Sequence, residues 1–188
     1  MPRRVTRRQA LDEIAALAAR HPDRTVWIGV DGLGAAGKST FAAAAAAADP
    51  RVVVVNTDDL QGPGVAEWDW SRLHREVVTP LLAGRAGRFE IRQWGDERGR
   101  GRREVPVGAV VIVEGVSATR SDVAVPWDLT IWVDVPDTVR HARALERDGP
   151  ALREVWERNW WPSEQRYVAR EHPADRVDLL VDGQDPPA

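Results

Sequence analysis

Apolar residues along the chain follow two patterns: spacings of three and four, and short unbroken runs. Residues 8–20 place Leu11, Ile14, Leu17 and Ala18 at helical spacing, and His21-Pro22-Asp23 ends that helix. Residues 25–30 (Thr-Val-Trp-Ile-Gly-Val) predict a buried strand stopped by Asp31-Gly32, and residues 38–48 are nearly pure helix former up to Asp49-Pro50. A second valine run, 52–55, leads into Asn56-Thr57-Asp58-Asp59, and residues 71–82 predict a helix with Ser71 as N-cap. Residues 110–113 give a third buried strand closed by Glu114-Gly115, and 129–133 a fourth that ends at Asp134. Helices are expected over 137–148 and 151–170, the second interrupted near Pro162, before a last strand at 177–181. Continuous valine-rich strands alternating with helices predict an α/β fold. The expected architecture is a doubly wound, mainly parallel five-stranded sheet with helices on both faces.

One domain over residues 1–188 accounts for a 20.9 kDa chain, with residues 1–24 as an N-terminal helical extension. Residues 84–104 change character, with five glycines, seven arginines and the short strand-like piece Phe89-Glu90-Ile91, so 84–106 is expected to be an inserted hairpin or flap. A net charge of −3 implies no global field for polyanions, and the glycines and acids among those arginines argue against nucleic acid. No cysteine is present, which excludes disulfides, zinc-thiolate sites and thiol catalysis together. No apolar run approaches the roughly 18 residues of a membrane span, and the Met-Pro-Arg-Arg start leads into charge, not a signal-peptide core. The expectation is a soluble cytoplasmic protein with a small-molecule partner.

Of 26 basic residues only Lys38 is a lysine, and its position is informative. Gly32-Leu33-Gly34-Ala35-Ala36-Gly37-Lys38-Ser39 fits G-x-x-x-x-G-K-[ST], between an apolar strand and a helix. Backbone N–H groups of such a loop and the following helix N-terminus make a concave site for phosphate oxygens. Gly32, Gly34, Ala35, Ala36, Gly37, Lys38, Ser39 and Thr40 are therefore the candidate nucleotide-binding residues. Lys38 would reach the β- and γ-phosphates, and the Ser39 hydroxyl a Mg²⁺ ion. With the sole lysine in this loop, no N-K-x-D guanine motif can exist.

Ligands of open parallel sheets gather beyond the carboxyl ends of the strands. Asp58 or Asp59, Glu114 and Asp134 fall there. Asp58 or Asp59 is placed to take a proton from an attacking hydroxyl, and Glu114 to hold Mg²⁺ directly or through water. Asp134 is expected to be a turn residue. Arg140, Arg143 and Arg147 recur on one helix face, where cations could surround a migrating phosphoryl group.

Together these pieces resemble the uridine kinase-like branch of P-loop small-molecule kinases, related to pantothenate kinase and phosphoribulokinase. The resemblance runs from about Thr25 to Val181. It rests on Val30-Asp31-Gly32 through Thr40, Thr57-Asp58-Asp59-Leu60, Val113-Glu114-Gly115, and the stretch Arg140-His141-Ala142-Arg143-Ala144-Leu145-Glu146-Arg147-Asp148. It implies a P-loop kinase fold and Mg·ATP-dependent transfer to a hydroxyl. Asp58 would be the general base and a magnesium neighbour, and Glu114 a second magnesium-associated acid. Arg140, Arg143 and Arg147 would contact ATP phosphates, and Asp69 would hold ribose hydroxyls. The family's pyrimidine-reading Tyr and His have no counterpart in Arg92-Gln93-Trp94-Gly95-Asp96-Glu97, and Gly149-Pro150 replaces its lid extension. The acceptor is thus nucleoside-like or another small metabolite such as a pantothenate-like compound, a sugar or an antibiotic. A regulator that binds ATP without transferring phosphate is the reading from a different class.

For the acceptor, Trp68, Trp70 and Trp94 could stack on a flat ring, and Arg72 or Arg92 hold an anionic group. Trp27, Trp127 and Trp132 are assigned to the core, while Trp160-Trp161 could cover either the sheet or the nucleotide. His21, His74, His141 and His172 show no metal-ligand spacing.

Overall fold

The structure is a computed structural model that describes residues 1–60, 69–92 and 101–185. The chain begins with β1 (Arg3–Val5), α1 (Arg7–Arg20), β2 (Val26–Asp31), α2 (Lys38–Ala48) and β3 (Val52–Asn56). A helical stretch follows, made of α3 (Trp70–Leu73), a π turn (His74–Val78) and α4 (Thr79–Leu82). Next come β4 (Gly87–Glu90), β5 (Arg102–Val105), β6 (Val110–Glu114), β7 (Leu129–Asp134) and α5 (Asp137–Asp148). A second broken helix comprises a 3₁₀ turn (Pro150–Leu152), α6 (Arg153–Val155), a π turn (Trp156–Trp160) and α7 (Trp161–Glu171). The last elements are α8 (Pro173–Arg176) and β8 (Leu179–Asp182).

Among the described residues six strands form one sheet in the order β1-β8-β7-β2-β6-β3, every pair parallel. The fold is therefore the expected α/β sheet with one strand more. Residues 3–5, grouped with the helical extension by sequence, pair Arg3 with Leu179 and Val5 with Val181. Three residues are too short to show a strand pattern. The α1 start is fixed by a capping box, with Gln9 N–H donating to Thr6 Oγ1 at 3.2 Å and Thr6 N–H to Gln9 Oε1 at 2.9 Å.

Alternation along β2 explains the two covered faces. Val26, Ile28 and Val30 pack with Ala10, Ile14, Ala18, Phe41 and Ala45 of α1 and α2, whereas Trp27 packs with Leu73, Val77 and Leu81 on the opposite face. The alanines of α2 let that helix lie close against the sheet. Trp132 joins Tyr167 of α7 on a third cluster, and Trp127 is partly buried beside the second. Strands β4 and β5 pair antiparallel, and Phe89 and Val105 anchor this hairpin in the second core cluster.

Both helix interruptions have the same cause. Pro80 and Pro162 each lie in the first turn of the helix that follows a π turn, where a missing N–H leaves no bond unmade. Asp69, not Ser71, caps α3: its carboxylate accepts from Arg72 N–H at 3.0 Å and from Ser71 Oγ at 2.6 Å. No helix among the described residues is long and apolar enough to cross a membrane.

Candidate active site

Register brings the strand ends level, with Val30 opposite Glu114 and Glu114 opposite Asn56. The loop after β2 opens at that edge. Gly37, the α2 N-cap, has φ 97°, a left-handed conformation that glycine takes without steric cost. Ala35 is also left-handed at φ 62°, strain held by the surrounding loop. At Gly34 the reason for glycine is space: a Cβ would stand 2.6 Å from the Trp156 ring and 2.8 Å from Glu164 Oε1. Lys38 is buried, and its Nζ donates to the Leu33 carbonyl at 2.9 Å.

Asp31 closes β2 and ties the loop to the sheet. Its buried carboxylate accepts from Gly32 N–H at 2.7 Å, Ser117 N–H at 3.0 Å and Thr119 N–H at 2.9 Å. Thr119 Oγ1 at 2.8 Å and the Tyr167 hydroxyl at 2.6 Å complete the set. Burial, then the Asp31 charge, pushes the Tyr167 phenol above its ordinary range, so it stays a donor.

Oxygen donors converge from three elements beside Lys38. Asn56 Nδ2 donates to Glu114 Oε1 at 2.8 Å. Burial raises the Glu114 pKa, while Lys38 and Ser39 pull it back. Asp58 is exposed at the end of β3, its N–H donating to Asn56 Oδ1 at 2.7 Å. Asp59, half-buried, is raised by burial and opposed by Arg103. Among the described residues no group of three or more His, Cys, Asp or Glu could hold a metal ion. Ser39, Asp58 and Glu114 instead fit a hard cation that keeps waters and takes other oxygens from phosphates, the habit of Mg²⁺. Lys38, Ser39, Asp58, Glu114, Arg143 and Arg147 all line one cleft of about 940 Å³.

The arginine helix divides three ways. Arg143 Nη1 donates to the Gly183 carbonyl at 3.2 Å at one side of the cleft. Arg147 is exposed, pairs with Asp148 at 2.7 Å, and feels the charge of Asp58. Arg140 departs from the expected phosphate contact. It is buried, its Nε bonds Asp137 at 2.7 Å and its Nη1 bonds Glu164 Oε2 at 2.6 Å. Glu164 Oε1 accepts the Gly34 N–H at 2.6 Å, so Arg140 reaches the glycine loop through a carboxylate.

Of the expected acceptor residues, Asp58 lines the cleft, whereas Asp69, Trp70, Arg72 and Arg92 do not. Asp69 is the helix cap described above and does not line the cleft. Arg72 is buried, bonded to Glu76 at 3.0 Å and to the Glu90 carbonyl, because the hairpin packs over it. Arg92 pairs with Glu90 at 2.9 Å, and its N–H donates to the Asp59 carbonyl at 2.9 Å. Trp70 packs against the second core cluster. Trp68 and Trp94 lie outside the described residues. Of the paired indoles, Trp160 lines the cleft and Trp161 stacks on His141 with centroids 3.7 Å apart.

Sequence reasoning missed Glu164, Tyr167 and Asn56. Trp160, Glu164 and Tyr167 share a helical face at spacings of four and three. A lone acid on an otherwise aromatic stripe was the available signal.

Gly115 offers a steric test of how β3 and β6 meet. A Cβ there would stand 1.8 Å from Thr57 Oγ1, a buried atom with no hydrogen-bond partner among the described residues. Gly115→Ala is expected to cost about 1–3 kcal/mol, and Thr57→Ala to recover part of it by removing the obstructing hydroxyl. Urea denaturation of both single variants and the double variant checks this. An unaltered midpoint for Gly115→Ala would contradict it.

No protein-family model matches the sequence, and no curated protein matches it. Solved structures do. A possible uridine kinase from Bacillus stearothermophilus aligns at 19% identity with TM-score 0.64, over 93% of this chain and 100% of its own. A protein from Silicibacter sp. TM1040 described as a fructose transport system kinase aligns at 20% identity with TM-score 0.70, over 91% and 97%. The fold is that of these kinase structures.

Proposed function

We propose that this protein is a Mg·ATP-dependent small-molecule kinase that phosphorylates a hydroxyl. The observation that carries the reading is convergence. A glycine-rich loop, its lysine and the oxygens of Ser39, Asp58 and Glu114 face one cleft, although β2, β3 and β6 each supply only part. The loop amides and Lys38 bind the phosphate chain. Bound Mg²⁺, held through Ser39, Glu114 and Asp58, supplies charge neutralisation on the phosphate oxygens. Asp58, the exposed acid, orients the acceptor and takes its proton as the acceptor oxygen bonds to the γ-phosphorus. The bond from that phosphorus to the bridging oxygen breaks, and ADP leaves with that electron pair. Arg143 and Arg147 add cations at the cleft wall.

The acceptor is nucleoside-like or another small metabolite, and a sugar is favoured as the second reading by the aligned structure described as a fructose transport system kinase. ADP release measured across nucleosides, pantothenate and sugars tests the proposal. One acceptor should stimulate release and appear phosphorylated by mass spectrometry. Asp58→Asn should lower that rate about 10²–10⁴-fold while ATP still binds. Tight ATP binding with no stimulation by any acceptor would favour a regulator.

A further inference from the structure

The sheet order sorts the cleft into two ends. The β2 loop lies between β6 and β3 on one side and β7 and β8 on the other. Asp58, Glu114 and Asn56 come from the first side. Gly183, Gln184 and Asp185, just past β8, line the second. With the reacting phosphate held beside Lys38 and Glu114, the opposite end of the ligand faces the β8 side.

Arg7 closes that end. It opens α1, and its backbone N–H is fixed by Asp185 Oδ2 at 3.2 Å. Its side chain lines the cleft although the residue is only 4% exposed. Nη2 would lie 3.6 Å from a Cβ on Gly37, against the phosphate-binding loop. Among the described residues Nε and Nη1 are buried with no hydrogen-bond partner, and no carboxylate pairs with the guanidinium. Every other buried charged side chain in this cleft has a bonded partner: Lys38 has Leu33, Glu114 has Asn56, and Glu164 has Gly34 and Arg140. A buried cation without an acceptor is unfavourable unless a ligand provides one.

We infer that Arg7 is a nucleotide-binding residue that donates to acceptor atoms of the nucleoside moiety, anchoring the end of the nucleotide remote from the transferred phosphate. The inference rests on the nucleotide-binding reading above. It assigns the N-terminal helix a place in the binding site, because β1 and the cap of α1 set Arg7 beside β8.

Calorimetry with ATP and with inorganic tripolyphosphate separates the nucleoside moiety from the phosphates. Wild type should bind ATP more tightly than tripolyphosphate. Arg7→Met and Arg7→Gln should lower ATP affinity about 10-fold or more while leaving tripolyphosphate affinity nearly unchanged. The melting temperature of either variant without ligand should be equal to or above that of wild type, since an uncompensated cation is removed. Equal losses for both ligands would place Arg7 on the phosphates and overturn the assignment. So would an unchanged ATP-to-tripolyphosphate ratio, or a lower melting temperature with that ratio unchanged, which marks a structural role. If wild type binds neither ligand, the nucleotide-binding reading itself fails, a result distinct from any variant effect.

Discussion

Lys38→Ala is expected to lower kcat/KM for ATP by about 10³-fold or more while the protein stays folded. The two halves of that expectation come from different observations. Lys38 is buried, yet its Nζ has one protein acceptor in hand, the Leu33 carbonyl, so two of its three donors remain for a ligand. Its charge also holds down the raised carboxyls of Glu114 and Glu164. Removing it deletes a buried cation and lets those acids take up protons more readily, two changes that offset one another in the empty protein. Under load nothing replaces it, because the amides of the loop are dipoles, Arg143 and Arg147 are tied to Gly183 and Asp148, and Arg7 stands at the β8 end of the cleft. Lys38→Arg should fare little better, since a planar guanidinium does not fit where a compact ammonium sits. Calorimetry with ATP, ADP-release kinetics and thermal unfolding read the three consequences. Wild-type ATP affinity in Lys38→Ala would remove the premise that the loop grips a phosphate chain.

What the sequence made legible here is what is local along the chain. The glycine loop, its lysine and the acids that end β3 and β6 are each a few consecutive residues. Valine runs fix the strands because a strand covered on both faces needs no polar alternation. The connections that the sequence left hidden are long-range. Glu164 bonds Gly34 across 130 residues, Tyr167 bonds Asp31 across 136, and Asn56 bonds Glu114 across 58. Arg72 and Arg140 show the converse. Each sits on a motif-like stretch that suggests an anion, yet tertiary packing buries it, Arg72 against the Glu90 carbonyl and Arg140 against Glu164. Helical spacing places side chains on a face but does not say whether that face meets solvent or a neighbouring helix.

Arg140→Met should be the most destabilising single change in the site, by about 3–5 kcal/mol, because it strands Glu164. The Arg140–Glu164 pair is 2.6 Å apart with both side chains almost wholly buried. Burial already raises the Glu164 pKa, with Arg140 the first force opposing that rise. Without the guanidinium the folded pKa climbs further above the unfolded value of about 4.3. A raised carboxyl binds its proton more tightly in the folded state. Its contribution is therefore intact at acid pH and is lost as pH rises through the folded pKa. The variant should accordingly lose more stability at pH 8 than at pH 5. Adding Glu164→Gln should flatten that pH dependence and recover part of the loss, since the amide oxygen can still accept the Gly34 N–H without carrying charge. Urea titrations at the two pH values check each step. For a domain of this size the single variant should melt roughly 6–20 °C lower. Equal stability of wild type and Arg140→Met at pH 8 would show that the pair does not restrain α7 against the loop. The same variant tests positioning: Gly34 N–H is the one loop amide that Glu164 holds, so ATP affinity should fall with stability and return with the double variant.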